Sequence, residues 1–115
     1  MIIGQTIVAA ISGAQTTVYT PWIASWGNAA IFSYELIAIG GTSASFSARV
    51  YTKNSDDADP GAAKGTLNTQ TAVGTYSITD ASSLLELVRV EFVLTAGTGV
   101  AQAHFRPLNP AWKTN

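Results

Sequence analysis

The sequence contains no cysteine, which excludes a disulfide framework and any zinc site built on thiolates. Histidine occurs once, as His104, so a paired-histidine metal motif cannot form. Charge is scarce. Only 11% of residues are Asp, Glu, Lys or Arg, where soluble domains carry about 25%. Six basic residues against seven acidic ones leave a net charge of −1, and the basic ones are scattered singly. Displacing counterions from a phosphate backbone takes a clustered basic patch, so nucleic acid is not an expected partner. Long apolar runs are also missing. Residues 1–34 carry no charge, but Gln5, Thr6, Ser12, Gly13, Gln15, Thr16 and Thr17 interrupt them, short of the ~20 apolar residues of a membrane span. No basic segment precedes this stretch, so it does not read as a signal peptide. A soluble, unprocessed chain with no membrane partner is expected.

What remains is 115 residues with an apolar fraction of 47%, enough for one core and hardly enough for two. The surface must then consist largely of Ser, Thr, Asn, Gln, Gly and Ala. Such a surface is cheap to desolvate, which suits a protein pressed against others. A mildly polar β-sandwich would have the same composition.

Period-2 alternation recurs along the chain, and helical periodicity is nearly absent. Phe32, Tyr34 and Leu36 alternate with Ser33 and Glu35 in Ala30–Ile39. Phe46, Ala48 and Val50 alternate with Ser47, Arg49, Tyr51 and Lys53 in Ser45–Lys53. Val88, Val90, Phe92 and Leu94 alternate with Arg89, Glu91 and Thr95 in Leu87–Thr95. These runs predict three half-buried strands. Weaker patterns predict strands over Gln5–Ile11, Thr16–Tyr19, Gly74–Thr79 and Val100–Arg106, the last with Ala101, Ala103 and Phe105 facing in. Turn chemistry separates the runs at Ser12-Gly13, Gly27-Asn28, Gly40-Gly41, Asp59-Pro60-Gly61 and Gly97-Thr98-Gly99. The fold expected is all-β: one antiparallel, jelly-roll-like β-sandwich domain over residues 1–115. Asp80–Leu87, with Asp80 as cap, is the one candidate helix, and Asn54–Gln70 reads as an exposed loop. Pro107 and Pro110 keep residues 107–115 out of a central strand. That segment, ending in Trp112, and the uncharged residues 1–11 read as extended arms suited to an oligomer.

No constellation for catalysis is present. The sequence lacks a Gly-x-Ser-x-Gly elbow and a phosphate-cradling loop, and His104, flanked by Gln102 and Arg106, reads as a surface or interface side chain. Glu35 and Glu91 could in principle form a glycosidase pair. Both, however, sit mid-strand, where pairing with Arg49, Lys53 and Arg89 across strands is the simpler role. The acidic stretch Asn54-Ser55-Asp56-Asp57-Ala58-Asp59-Pro60-Gly61 fits a calcium loop poorly. Counted from Ser55, proline takes the glycine position and Thr66 the place of the bidentate carboxylate. No catalytic, metal or cofactor site is expected. Trp22 follows Thr20-Pro21 and Trp26 precedes Gly27-Asn28, so both lie where strand meets loop. There a tryptophan can cap the core, anchor a protein interface or stack on a sugar. Trp22, Trp26, His104, Arg106 and Trp112 are the candidate interface residues.

The order of these features resembles a known group of proteins. Thr20-Pro21-Trp22 and Trp26 precede the strand Ala30–Ile39, Gly41-Thr42 and the strand Phe46–Lys53, which leads into Asn54-Ser55-Asp56-Asp57. Leu87-Val88-Arg89-Val90 follows, and the chain closes on His104-Phe105-Arg106-Pro107-Leu108 and Pro110-Ala111-Trp112. Together they resemble the small β-sandwich head proteins of tailed bacteriophages that decorate or cement capsids. The resemblance implies a homo-oligomer, often a trimer, bound to the major capsid protein on the virion exterior, with no catalysis and no cofactor. A carbohydrate-binding or adhesion module using Trp22, Trp26 or Tyr51 is the alternative.

Overall fold

The protein is described by a computed structural model for residues 6–10, 15–27, 29–42, 44–59, 61–108 and 110–113. Expectations that fall on residues 1–5, 11–14, 28, 43, 60, 109 and 114–115 lie outside the described residues. The three strong alternations are three of the four strands that lie inside the sheets. Their apolar positions, Phe32, Tyr34, Leu36, Phe46, Ala48, Val50, Val88, Val90, Phe92 and Leu94, are all buried, as are Ala101, Ala103 and Phe105. Because side chains alternate across a strand, the intervening polar residues are forced to the outer faces.

The strands are β1 (Thr6–Ala10), β2 (Gln15–Tyr19), β3 (Ile23–Ala24), β4 (Ala29–Thr42), β5 (Ser45–Lys53), β6 (Ala62–Gln70), β7 (Gly74–Ser82), β8 (Leu87–Thr95), β9 (Thr98–Pro107) and β10 (Ala111–Lys113). All pairings are antiparallel. One sheet contains β1, β9, β4, β7 and β10, the other β2, β3, β8, β5 and β6. With the short β3 and β10 set aside, the orders are β1-β9-β4-β7 and β2-β8-β5-β6, which is jelly-roll connectivity. Between the sheets, Tyr34 and Phe105 meet Phe46 and Phe92, with ring centroids 4.6 to 5.8 Å apart. The Tyr34 hydroxyl leaves this cluster by donating to Asn68 Oδ1 of β6 at 2.7 Å. Asn68 Nδ2 in turn donates to the Ser77 carbonyl of β7 at 3.2 Å. One amide thus ties the two sheets together at that edge and satisfies a polar atom rooted in the core.

Two expectations are corrected. Asp80–Leu87 is not a helix: β7 runs through Ser82 in register with β4, and Ser83 turns the chain with φ 58°. A helix of two turns has little stability of its own, and pairing along β4 outweighs its cap. Nor is all of Asn54–Gln70 a loop, because Ala62–Gln70 is β6, paired with β5. Ala62 and Ala63 are exposed on it, and a strand paired on one side only can lack the alternation that marks a central strand. The C-terminal segment is docked within its own sheet. Ala111–Lys113 pairs with residues 29–31 of β4 on the edge that β9 uses further along, and Trp112 meets Phe32 edge-on at 6.0 Å. Pro107 and Pro110 fall at the interruption between β9 and β10, where a ladder donor is not needed.

Pro21 causes a similar interruption on β8, whose edge is shared by β2 and β3. Buried Thr20 closes the gap. Its N–H donates to the Val90 carbonyl at 3.0 Å, and its Oγ1 accepts from Val90 N–H at 2.9 Å. Buried Thr52 acts in the same way on the 83–86 turn, donating to the Leu87 carbonyl at 2.9 Å and accepting from Leu85 N–H at 2.8 Å. Replacing a hydroxyl with a methyl at such a site strands a buried donor, which costs about 1–3 kcal/mol. Thr20→Val is therefore expected to lower unfolding free energy by about that amount in urea titration, while Thr17→Val, at an exposed position of β2, leaves it nearly unchanged.

Burial, helped by neighbouring Tyr76, raises the ionisation of Tyr34 well above the ordinary tyrosine value of 10.0. Its contribution to stability is complete below that value and declines as pH rises toward the raised one. Alkaline titration at the phenolate absorbance band is expected to show Tyr34 ionising well above the ordinary tyrosine value, together with loss of the fold.

Candidate functional site

The outer face of the β2/β3-β8-β5-β6 sheet gathers aromatic and cationic side chains. Register places Tyr19, Glu91 and Arg49 in one row across β2, β8 and β5, with Arg89 and Tyr51 side by side in the next. The turn at Pro21 brings Trp22 beside them. Arg89 lies between two rings, its Cζ 3.9 Å from the Tyr19 centroid and 4.4 Å from the Trp22 centroid. Lys53 Nζ approaches the Trp22 ring at 5.0 Å. Each such contact contributes about 0.5–1 kcal/mol at an exposed site and more when water is excluded. The Nε atoms of Arg49 and Arg89 are enclosed and have no hydrogen-bond partner among the described residues. The Tyr19 and Trp22 rings flank the Arg89 guanidinium.

The carboxylates at this face are engaged locally. Tyr19 Oη donates to Glu91 Oε2 at 3.0 Å, a bond that raises the tyrosine's ionisation above its usual value, with desolvation adding to it. Arg49 stands directly across from Glu91, yet no ion pair joins them among the described residues. Lys53 bonds to Asp59 Oδ1 at 2.7 Å and to the Asp57 carbonyl at 3.3 Å. The Lys53 hydrogen bond holds Asp59 below the ordinary carboxylate value. The enclosed Trp22 Nε1 has no hydrogen-bond partner among the described residues. Asp57 Oδ2 accepts from Asn54 N–H at 2.9 Å, and Gly61 closes the loop by donating to Ala58 O at 3.1 Å. Gly61 has φ 79°, and a Cβ there would lie 2.5 Å from the Thr52 carbonyl oxygen. The 54–61 acids are thus used to shape a turn. Among the described residues, no three histidine or carboxylate side chains gather as a metal would need.

The structure distributes the five candidate interface residues over separate places. Trp22 belongs to the cation–aromatic face. Trp26 is 81% exposed, at a depression of about 630 Å³ lined by Ser25, Gly27, Asn54, Leu84, Leu85 and Glu86. Trp112 packs against the core at the edge of the other sheet. Arg106 pairs with its register partner Glu35 through Nε and Oε1 at 2.7 Å. His104 lines a hollow of about 290 Å³ with Ala38, Ile39, Gly40, Gln102 and Ala103, beside the bulge between Leu36 and Ala38. Sequence reasoning paired Arg49, Lys53 and Arg89 with Glu35 and Glu91. Glu35 lies in the opposite sheet, and Arg89 is taken by rings. Of the residues on this face, Arg49 and Arg89 were legible only as ion-pair partners, and Tyr19 was missed; the signal available was its outward phase on β2 just before Thr20-Pro21.

The sign for Asp59 is that of a carboxylate held below its ordinary value of 3.8: its contribution is present above 3.8 and is lost as pH falls through the lowered value. Acid titration followed by carboxyl NMR is expected to show Asp59 protonating below its ordinary value. Asp59→Asn should free Lys53 and change the environment of the Trp22 indole.

In comparisons with known proteins, the chain matches no protein-family model, no curated protein and no solved structure.

Proposed function

We propose that this protein is a non-catalytic structural binding protein that decorates the head of a tailed bacteriophage. The binding part of this reading is carried by one observation, that Tyr19, Trp22, Arg49, Tyr51 and Arg89 share a single sheet face, and the capsid part by the resemblance of the sequence to phage head proteins. Tyrosine, tryptophan and arginine are the residues over-represented in the energetic centres of protein interfaces. Here Tyr19, Trp22 and Arg89 are already restricted by stacking on one another, so less side-chain entropy is left to lose on binding.

In this role each copy would lay the face across neighbouring major capsid proteins on the virion exterior, as a homo-oligomer, with a trimer favoured. The work is mechanical. Internal pressure must break the added contacts before capsid subunits separate, and no cofactor takes part.

The test is cosedimentation of the purified protein with expanded heads of the phage that encodes it. Wild-type protein is expected to bind, and Arg89→Glu or Tyr51→Ala to weaken binding about tenfold or more while circular dichroism stays unchanged. Absence of wild-type binding, or full binding by both variants, would reject the proposal. Light scattering on the free protein reads the oligomeric state directly.

A further inference from the structure

The depression beside Trp26 lies at the end of the same sheet, past Lys53 and Leu87, and its chemistry differs from that of the cation–aromatic face. We infer that it is a binding site for a pyranose unit of a glycan, with the Trp26 indole as stacking platform and Glu86 and Asn54 as hydroxyl partners. The inference does not depend on the capsid reading.

Trp26 is the most exposed large apolar side chain described, at 81%, whereas Trp22 and Trp112 are largely covered by neighbours. Leaving an indole in water gives up the favourable transfer of a large apolar surface. Around it stand an amide, a carboxylate and a hydroxyl, from Asn54, Glu86 and Ser25, together with Leu84 and Leu85. A pyranose presents an apolar C–H face and a rim of hydroxyls. The first suits an indole, and the second suits amide and carboxylate oxygens. The depression is open to solvent along most of its boundary, so a sugar would lie on the indole face instead of being enclosed.

The rim is held in place before any ligand arrives. Ser25 N–H donates to the Glu86 carbonyl at 3.0 Å, and Ser25 Oγ to the Leu85 carbonyl at 2.7 Å. Thr52 Oγ1 holds Leu85 N–H from below at 2.8 Å, and Leu84 anchors the turn in the core. Glu86 Oε1 accepts from Ser55 N–H at 3.1 Å and from Ser55 Oγ at 3.5 Å. These bonds fix the carboxylate, and an ionised carboxylate has about four acceptor positions, so it can still receive sugar hydroxyls. Ser83 stands in the left-handed region at φ 58°, uncommon for a residue other than glycine. Other ligand classes fit less well. An anion would meet Glu86, and a quaternary ammonium calls for a cage of several rings where one stands. A strand-adding peptide needs a free sheet edge, which the 25–27, 54 and 84–86 loops do not offer.

The experiment combines a glycan array with ¹H–¹⁵N NMR titration of the full chain, using methyl pyranosides matched to the array hits. Binding is expected, with shifts confined to the Trp26 indole N–H and the backbone amides of residues 25–27, 54–55 and 84–86. Trp26→Ala should abolish it and Glu86→Gln weaken it about tenfold. Both variants should keep the wild-type melting temperature, because Trp26 contributes little to the core. Arg89→Ala should bind glycan normally, which separates this site from the capsid-binding face. Three outcomes would overturn the inference: an array without hits, shifts centred on another surface, or Trp26→Ala binding as wild type. Capsid binding that is lost in Trp26→Ala without any glycan binding would also reject it, making Trp26 a protein contact.

Discussion

Four rings hold the two sheets together. Tyr34 and Phe105 from one sheet meet Phe46 and Phe92 from the other, with the closest pair, Phe92 and Phe105, at 4.6 Å. These strands are the inner members of their sheets, so the rings set the spacing on which the remaining packing depends. Tilted and offset arrangements such as these match the quadrupoles of the rings, and the cluster excludes water from the apolar residues around it. The one polar atom it carries, the Tyr34 hydroxyl, reaches the β6–β7 edge, where Asn68 links the sheets. Core and edge are therefore a single construction.

At the other edges the chain departs from ideal strands, and hydroxyls repair the ladder. Pro21 divides β2 from β3, and Thr20 supplies both the donor and the acceptor that Val90 needs. Thr52 does the corresponding work for the turn before β8. These repairs have a functional consequence. The first delivers Trp22 to the outer sheet face beside Arg89, and the second holds the turn that carries Glu86 beside Trp26. The departures from regular pairing and the two candidate surfaces arise from the same few residues.

Charge is sparse and much of it is spent locally. Arg106 pairs with Glu35, Lys53 with Asp59, and Arg89 is held between rings. Exposed ion pairs of this kind add little stability, but they orient side chains. The outcome is a surface of hydroxyls, amides and a few fixed aromatic–cation stacks, which can be covered by another molecule at low desolvation cost.

Residues that alternate along a strand reveal their facing without any knowledge of neighbours, because a strand has a period of two. For that reason the sequence by itself determined the all-β class, three of the four inner strands and the inward set from Phe32 to Phe105. It also marked Trp22 and Trp26 as standing where strand meets loop. It could not show β6, since an edge strand rich in Ala, Gly and Thr carries no alternation. It also suggested a helix where pairing with β4 carries β7 through Ser82. Which strands become neighbours is decided by long-range packing. Only the tertiary structure could therefore place Arg89 between Tyr19 and Trp22 and set Glu35 against Arg106 in the opposite sheet. It alone separated an enclosed tryptophan from an exposed one, because a side chain's exposure depends on residues far from it in the chain.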